Sequence, residues 1–92
     1  MIDFKHVDHI LITIPPGAKE AARAFYGQVL QLKEIEGNHP NGAIWYEIGN
    51  IQLHLREEDG HQTNSDRHPA FVVNDLTAAK KFLEKDDISI SY

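Results

Sequence analysis

With 92 residues, the chain is one domain at most, and a domain of this size buries only roughly 60–65 % of its unfolded surface. A net charge of −5, with no basic run or basic helix, argues against a nucleic-acid or anionic-membrane partner. Cysteine is absent, so disulfides and thiolate ligands are excluded and any metal would bind through nitrogen and oxygen. Neither a membrane-length apolar run nor the basic-then-apolar plan of a signal peptide is present, so a soluble, cytoplasmic protein is expected.

Residues 7–14 alternate as a strand does, with Ile10, Ile12 and Ile14 on one side and Val7, His9, Leu11 and Thr13 on the other. Pro15-Pro16-Gly17 ends it. A helix is predicted from about Ala18 to Leu30, because Ala22, Phe25, Tyr26, Val29 and Leu30 fall on one apolar stripe. Gly27 inside that stripe implies close packing or an early fray. A short strand is expected over Leu32–Glu36, followed by a loop through Gly42. Ala43–Ile48 and Ile51–Arg56 read as two strands joined by a tight Gly49-Asn50 turn. In the second of them Ile51, Leu53 and Leu55 share one face and Gln52, His54 and Arg56 the other.

Residues 57–67 are polar and read as a mobile loop. A strand is predicted over His68–Val73, then a helix N-capped by Asp75 and running to about Lys85, with Leu76, Ala79, Phe82 and Leu83 as its buried stripe. Ile88–Tyr92 alternates like a further strand. The order contains an internal repeat of strand, helix and strand. Sixteen positions separate His9 from Phe25, and fourteen separate His68 from Phe82. Two imidazoles at equivalent points of related halves make a candidate metal site.

Val7-Asp8-His9-Ile10, the Ala22, Phe25, Tyr26 helix leading to Leu30 and Leu32, the hairpin Gly49-Asn50-Ile51-Gln52-Leu53-His54-Leu55, and the segment His68 to Leu76 together resemble the glyoxalase/bleomycin-resistance/extradiol-dioxygenase (vicinal oxygen chelate) superfamily. The resemblance spans nearly the whole chain. It implies an α+β fold of paired βαβββ modules forming a cupped mixed sheet, in a single domain over 1–92. The first module is expected at about 5–57, and a second, truncated module at about 67–92.

The same resemblance implies metal ligands at His9 and His68, with a further one on the fourth strand, where Gln52 lines up best and His54 points the same way. The glutamate common on the last strand of such proteins has no counterpart here. Imidazole, amide and carboxylate donors suit divalent Zn, Fe, Ni or Mn. Trp45, Glu47 and Arg56 would line a substrate pocket, with an ordinary core aromatic and a cross-strand Glu47–Arg56 ion pair as the alternatives. His6, His39 and His61 read as surface residues without a role.

Two functions are open at this point. One is a divalent-metal-dependent enzyme (lyase, isomerase or dioxygenase) acting on a small oxygenated substrate; the other is a non-catalytic small-molecule binding protein resembling bleomycin-resistance proteins. Strand parity predicts His9, Gln52 and His54 on one sheet face, with His68 on the edge of the same cavity. An open strand edge and a small core predict a homodimer.

Overall fold

The structure is a computed structural model that describes residues 1–85; the strand expected over Ile88–Tyr92 lies outside them. The chain divides into two compact units, residues 1–61 and 62–92.

The first unit is a four-stranded mixed sheet with helical turns against one face. Strand β1 (His9–Ile14) is followed by the single turn α1 (Lys19–Ala22), a π-helical stretch over Arg23–Val29, and strands β2 (Lys33–Ile35), β3 (Ile44–Ile48) and β4 (Ile51–Glu57). The spatial order is β1-β4-β3-β2, with β1 parallel to β4 and the other pairs antiparallel. This is the expected βαβββ order, in an α+β fold.

The hairpin between β3 and β4 closes on the pair Ile48 and Ile51. Gly49, its first central residue, has φ +57°, the left-handed value that glycine adopts without a Cβ clash and that a type II′ turn needs at that place.

Register settles which side chains are buried. Ile10 and Ile12 stand beside Leu53 and Leu55, which in turn stand beside Tyr46 and Ile44. With Ile14 and Ala22 these residues form the core, and Tyr26, Ala18 and Leu32 pack against it from the helical side. The alternation expected for β1 and β4 is therefore observed.

The helix differs from expectation. Only its first turn is α-helical, and beyond Ala22 it widens, with the Leu30 amide donating to the Phe25 carbonyl and the Leu32 amide to that of Tyr26. Gly27 sits in the widened part. A Cβ placed there would lie 3.4 Å from the Tyr46 hydroxyl, so the close-packing alternative holds. That hydroxyl is buried and has no hydrogen-bond partner among the described residues. Burial, and secondarily the Glu34 carboxylate, push its pKa up.

In the second unit the helix α2 (Leu76–Lys85) is present, and Asp75 caps it by accepting a hydrogen bond from the Ala78 amide at 2.9 Å. Two expectations are corrected here. Residues 68–73 form no strand, since a strand exists only where a neighbour takes its backbone hydrogen bonds and none does so among the described residues. The apolar stripe of α2 is not buried either: Leu76 is 64 % exposed, and no residue of the helix is buried. Periodicity makes a stripe available for burial; only an opposing surface buries it.

Because the Tyr46 hydroxyl is desolvated without compensation, Tyr46→Phe is expected to leave unfolding free energy within about 0.5 kcal/mol of the parent or to raise it. Leu53→Ala, which opens a cavity in the same layer, is expected to cost about 2–5 kcal/mol. Urea denaturation of both variants checks the contrast.

Candidate functional site

The sheet face away from the core carries the polar side chains. In register, His9 stands beside Gln52, Leu11 beside His54 and Thr13 beside Arg56; Trp45 stands beside His54 and Glu47 beside Gln52. His9, Gln52 and His54 thus share one face, as parity requires. Trp45, Glu47 and Arg56 join them there, so Trp45 is not a core residue. Glu47 and Arg56 do not pair with each other: Glu47 lies 3.9 Å from Lys33, and Arg56 lies 3.7 Å from Glu58.

Four rings run across this face in one stack. His9 and His54 stack at 4.3 Å between centroids, His54 and Trp45 at 3.9 Å, and Trp45 and His39 at 4.0 Å, all within 15° of parallel. Both ends are tied. His39 donates from Nε2 to the Ile35 carbonyl at 2.6 Å, and His9 Nδ1 lies 2.8 Å from Asp8 Oδ2. An ionised carboxylate only accepts, so Nδ1 of His9 is the donor, and in the neutral ring the lone pair is on Nε2. The hydrogen bond from His9, chiefly, holds the Asp8 pKa below the usual carboxylate value. In the middle of the stack His54 Nε2 donates to Gln52 Oε1 at 2.9 Å. Beside this end of the sheet lies an open depression of about 370 Å³, lined by His6, Asp8, Glu47, Asn50 and Gln52 among others.

No family profile matches the chain, and no curated protein matches it. Solved structures do. A protein assigned to the glyoxalase family from Bacillus anthracis is 30 % identical with a TM-score of 0.86, the match covering 97 % of this chain and 75 % of that one. The chain belongs to the glyoxalase family. Two further structures share its fold. A protein from the mobile metagenome of V. pseudocholerae has 22 % identity and a TM-score of 0.72, over 100 % of this chain and 74 % of its own. Lactoylglutathione lyase from Agrobacterium tumefaciens has 19 % identity and a TM-score of 0.70, over 98 % and 76 %.

Set against a divalent metal, the donors of this glyoxalase-family chain fit in part. Nε2 of His9 is open, and its ring is oriented by a carboxylate as ligating histidines commonly are. Gln52 Oε1 keeps a second lone pair beyond the one used by His54. His54 does not fit beside His9. Lone pairs lie in the ring plane, and two rings stacked face to face direct theirs side by side, not toward a common point about 2.1 Å from each nitrogen. Among the described residues, no three His, Cys, Asp or Glu side chains group to hold an ion. His68 lies in the second unit, where its Nδ1 donates to the Asp66 carbonyl at 2.8 Å and leaves Nε2 open.

Two histidines read as surface residues belong to this face. His39 closes the ring stack. His61 reaches Thr13, with 2.9 Å between Nδ1 and Oγ1. The sequence reading of 57–67 as a mobile loop misses the turn at Asp59-Gly60 that returns His61 to the sheet, and nothing in the sequence marks His39.

His54 is buried, and burial, followed by the charge of His9, lowers its pKa below the usual 6.5, with Asp8 opposing. Its ring meets His9, Trp45 and Gln52, and His39 lies one ring further along. Since folded His54 binds its proton less tightly than unfolded His54, the unfolded chain takes up more protons below about 6.5. The stabilisation is complete above that pH and is lost as pH falls toward the folded value. The urea midpoint of metal-free protein is therefore expected to drop between about pH 7.5 and 5.5, and His54→Gln to flatten that drop. Equal slopes in parent and variant would contradict the assignment to His54.

Proposed function

We propose that this glyoxalase-family protein is a divalent-metal-dependent enzyme acting on a small oxygenated substrate, as a lyase, isomerase or dioxygenase. The observation that supports it is the pair His9 and Gln52: neighbours in register, each with one donor atom open and each held by a second residue, Asp8 for the imidazole and His54 for the amide. In this reading His9 and Gln52 are ligands, while His54 orients Gln52 and does not itself ligate. Zn, Fe, Ni and Mn all accept such nitrogen and oxygen donors. A bound divalent ion supplies Lewis acidity to neighbouring substrate oxygens on which negative charge develops. The chain's own residues provide the rest: Trp45 and Leu11 offer apolar surface beside the pair, and the depression next to Gln52 gives the substrate a way in.

Metal content after equilibration with Zn, Ni or Mn tests this directly. His9→Ala and Gln52→Ala are expected to abolish stoichiometric uptake, and Asp8→Asn and His54→Ala to weaken it about 10–100-fold. The sequence-based expectation for His68 puts a comparable loss on His68→Ala. Full uptake by His9→Ala would end the reading.

The ring stack favours a second reading, a binding protein that holds an aromatic ligand without metal. Saturable quenching of Trp45, the single tryptophan, by aromatic ligands in metal-free protein, with no turnover in the metal-loaded form, would favour it.

For assembly we infer a homodimer. β1 pairs only with β4 among the described residues, and its free edge carries unused backbone donors and acceptors beside the exposed Val7 and Leu11. Sedimentation equilibrium at micromolar concentration is expected to give twice the chain mass; a concentration-independent monomer would refute it.

A further inference from the structure

We propose that the far end of the same sheet face, at Thr13, Arg56 and His61, is a subsite for an anionic oxygen group, carboxylate or phosphate, so that the substrate is a small organic anion. The proposal rests on reading this face as a small-molecule site and names the chemistry of its second end.

Thr13 and Arg56 are register partners on adjacent strands, which places their backbones about 4.8 Å apart with both side chains on the polar face. His61 is brought to them by a turn. Its amide donates to the Glu58 carbonyl at 3.2 Å, and Gly60, at the third place of that turn, has φ +73°, the left-handed conformation that a type II turn needs there. The result is the 2.9 Å contact between His61 Nδ1 and Thr13 Oγ1.

That pair presents a donor in every protonation state. If Nδ1 accepts from the hydroxyl, the ring proton is on Nε2 and points away from the pair. If Nδ1 donates to Oγ1, the threonine O–H is free instead. If the ring is charged, both are free. Arg56, the register partner of Thr13, adds a guanidinium, whose planar fork matches a carboxylate or phosphate. Its nearest acidic neighbour, Glu58, is 3.7 Å away, beyond hydrogen-bonding distance, and both side chains are partly exposed. Glu58 thus occupies the position of a weak internal stand-in for an external anion, which would displace it.

The spacing sets the ligand's shape. His9 and Thr13 are four residues apart on β1, about 13 Å of strand. Leu11 lies between them, next to His54 and the ring stack. An oxygenated head at His9 and Gln52, a flat or apolar middle over Leu11, and an anionic tail at Arg56 would fill the face.

Chemical-shift titration of metal-free, isotope-labelled protein with benzoate, phenyl phosphate and neutral benzamide tests the subsite. Both anions, or one of them, are expected to bind at least about tenfold more tightly than benzamide and to move the amides of Thr13, Gly60 and His61; the tighter anion distinguishes carboxylate from phosphate. Arg56→Gln should weaken anion binding about tenfold, Arg56→Lys should restore it only in part because it keeps the charge and loses the fork, and Glu58→Gln should tighten it severalfold. The same spectra report whether each variant is folded. Anions binding no better than benzamide, an undiminished affinity in folded Arg56→Gln, or weaker binding in Glu58→Gln would overturn the proposal. Because no metal is present, the outcome is independent of the fate of the His9 and Gln52 reading.

Discussion

The parallel pairing of β1 with β4 is the constraint from which the rest of the site follows. It joins residues more than forty positions apart in the chain, and its register alone puts His9 beside Gln52, Leu11 beside His54 and Thr13 beside Arg56. A slip of one residue would turn Ile10 and Leu53 outward and bury the imidazoles, at the cost of the core and of desolvating polar groups. The isoleucines of β1 and the leucines of β4 therefore hold the polar residues in place without touching them. Core packing and site geometry are here two faces of the same pairing.

On that frame, hydrogen bonds and ring contacts narrow each side chain to one role. A solvent-facing histidine would ordinarily sample several rotamers. His9 is held from one side by the Asp8 carboxylate and from the other by the ring of His54. His54 spends its proton on Gln52 and its two faces on His9 and Trp45, so Nε2 and both faces of the ring already have partners that fix its orientation. Its lowered pKa belongs to the same arrangement, because burial between two other rings penalises the charged form of His54.

Strand parity was the part most legible in the sequence. A period of two is a local property, and it survives any rearrangement that keeps the strand, so the faces of Ile10, Ile12, Gln52 and His54 could be read directly. The hairpin at Gly49-Asn50 was legible for a similar reason, since a left-handed turn position leaves few residue choices. The helix after β1 was readable as a stripe but not as a π-helical stretch, and the close approach of Gly27 to Tyr46 within that stretch involves a strand far along the chain, which the local pattern does not contain. Residues 68–73 carry strand composition without a strand. His39 and His61 were missed because each reaches the face through a turn, and the return of a loop to a distant surface leaves no periodic trace.

The proposal of Gln52, and not His54, as a fourth-strand ligand shows where parity stops. Both residues point the same way, so no pattern in the strand can separate them. What separates them is ring orientation. A ligating nitrogen needs its lone pair in the ring plane to reach the ion, and a stacked pair of imidazoles shares its faces while directing its edges in parallel. Stacking and joint ligation are thus alternative uses of the same two rings. His9 and His54 are stacked, and the residue beside His9 in register is Gln52, whose amide oxygen accepts the proton that His54 gives it.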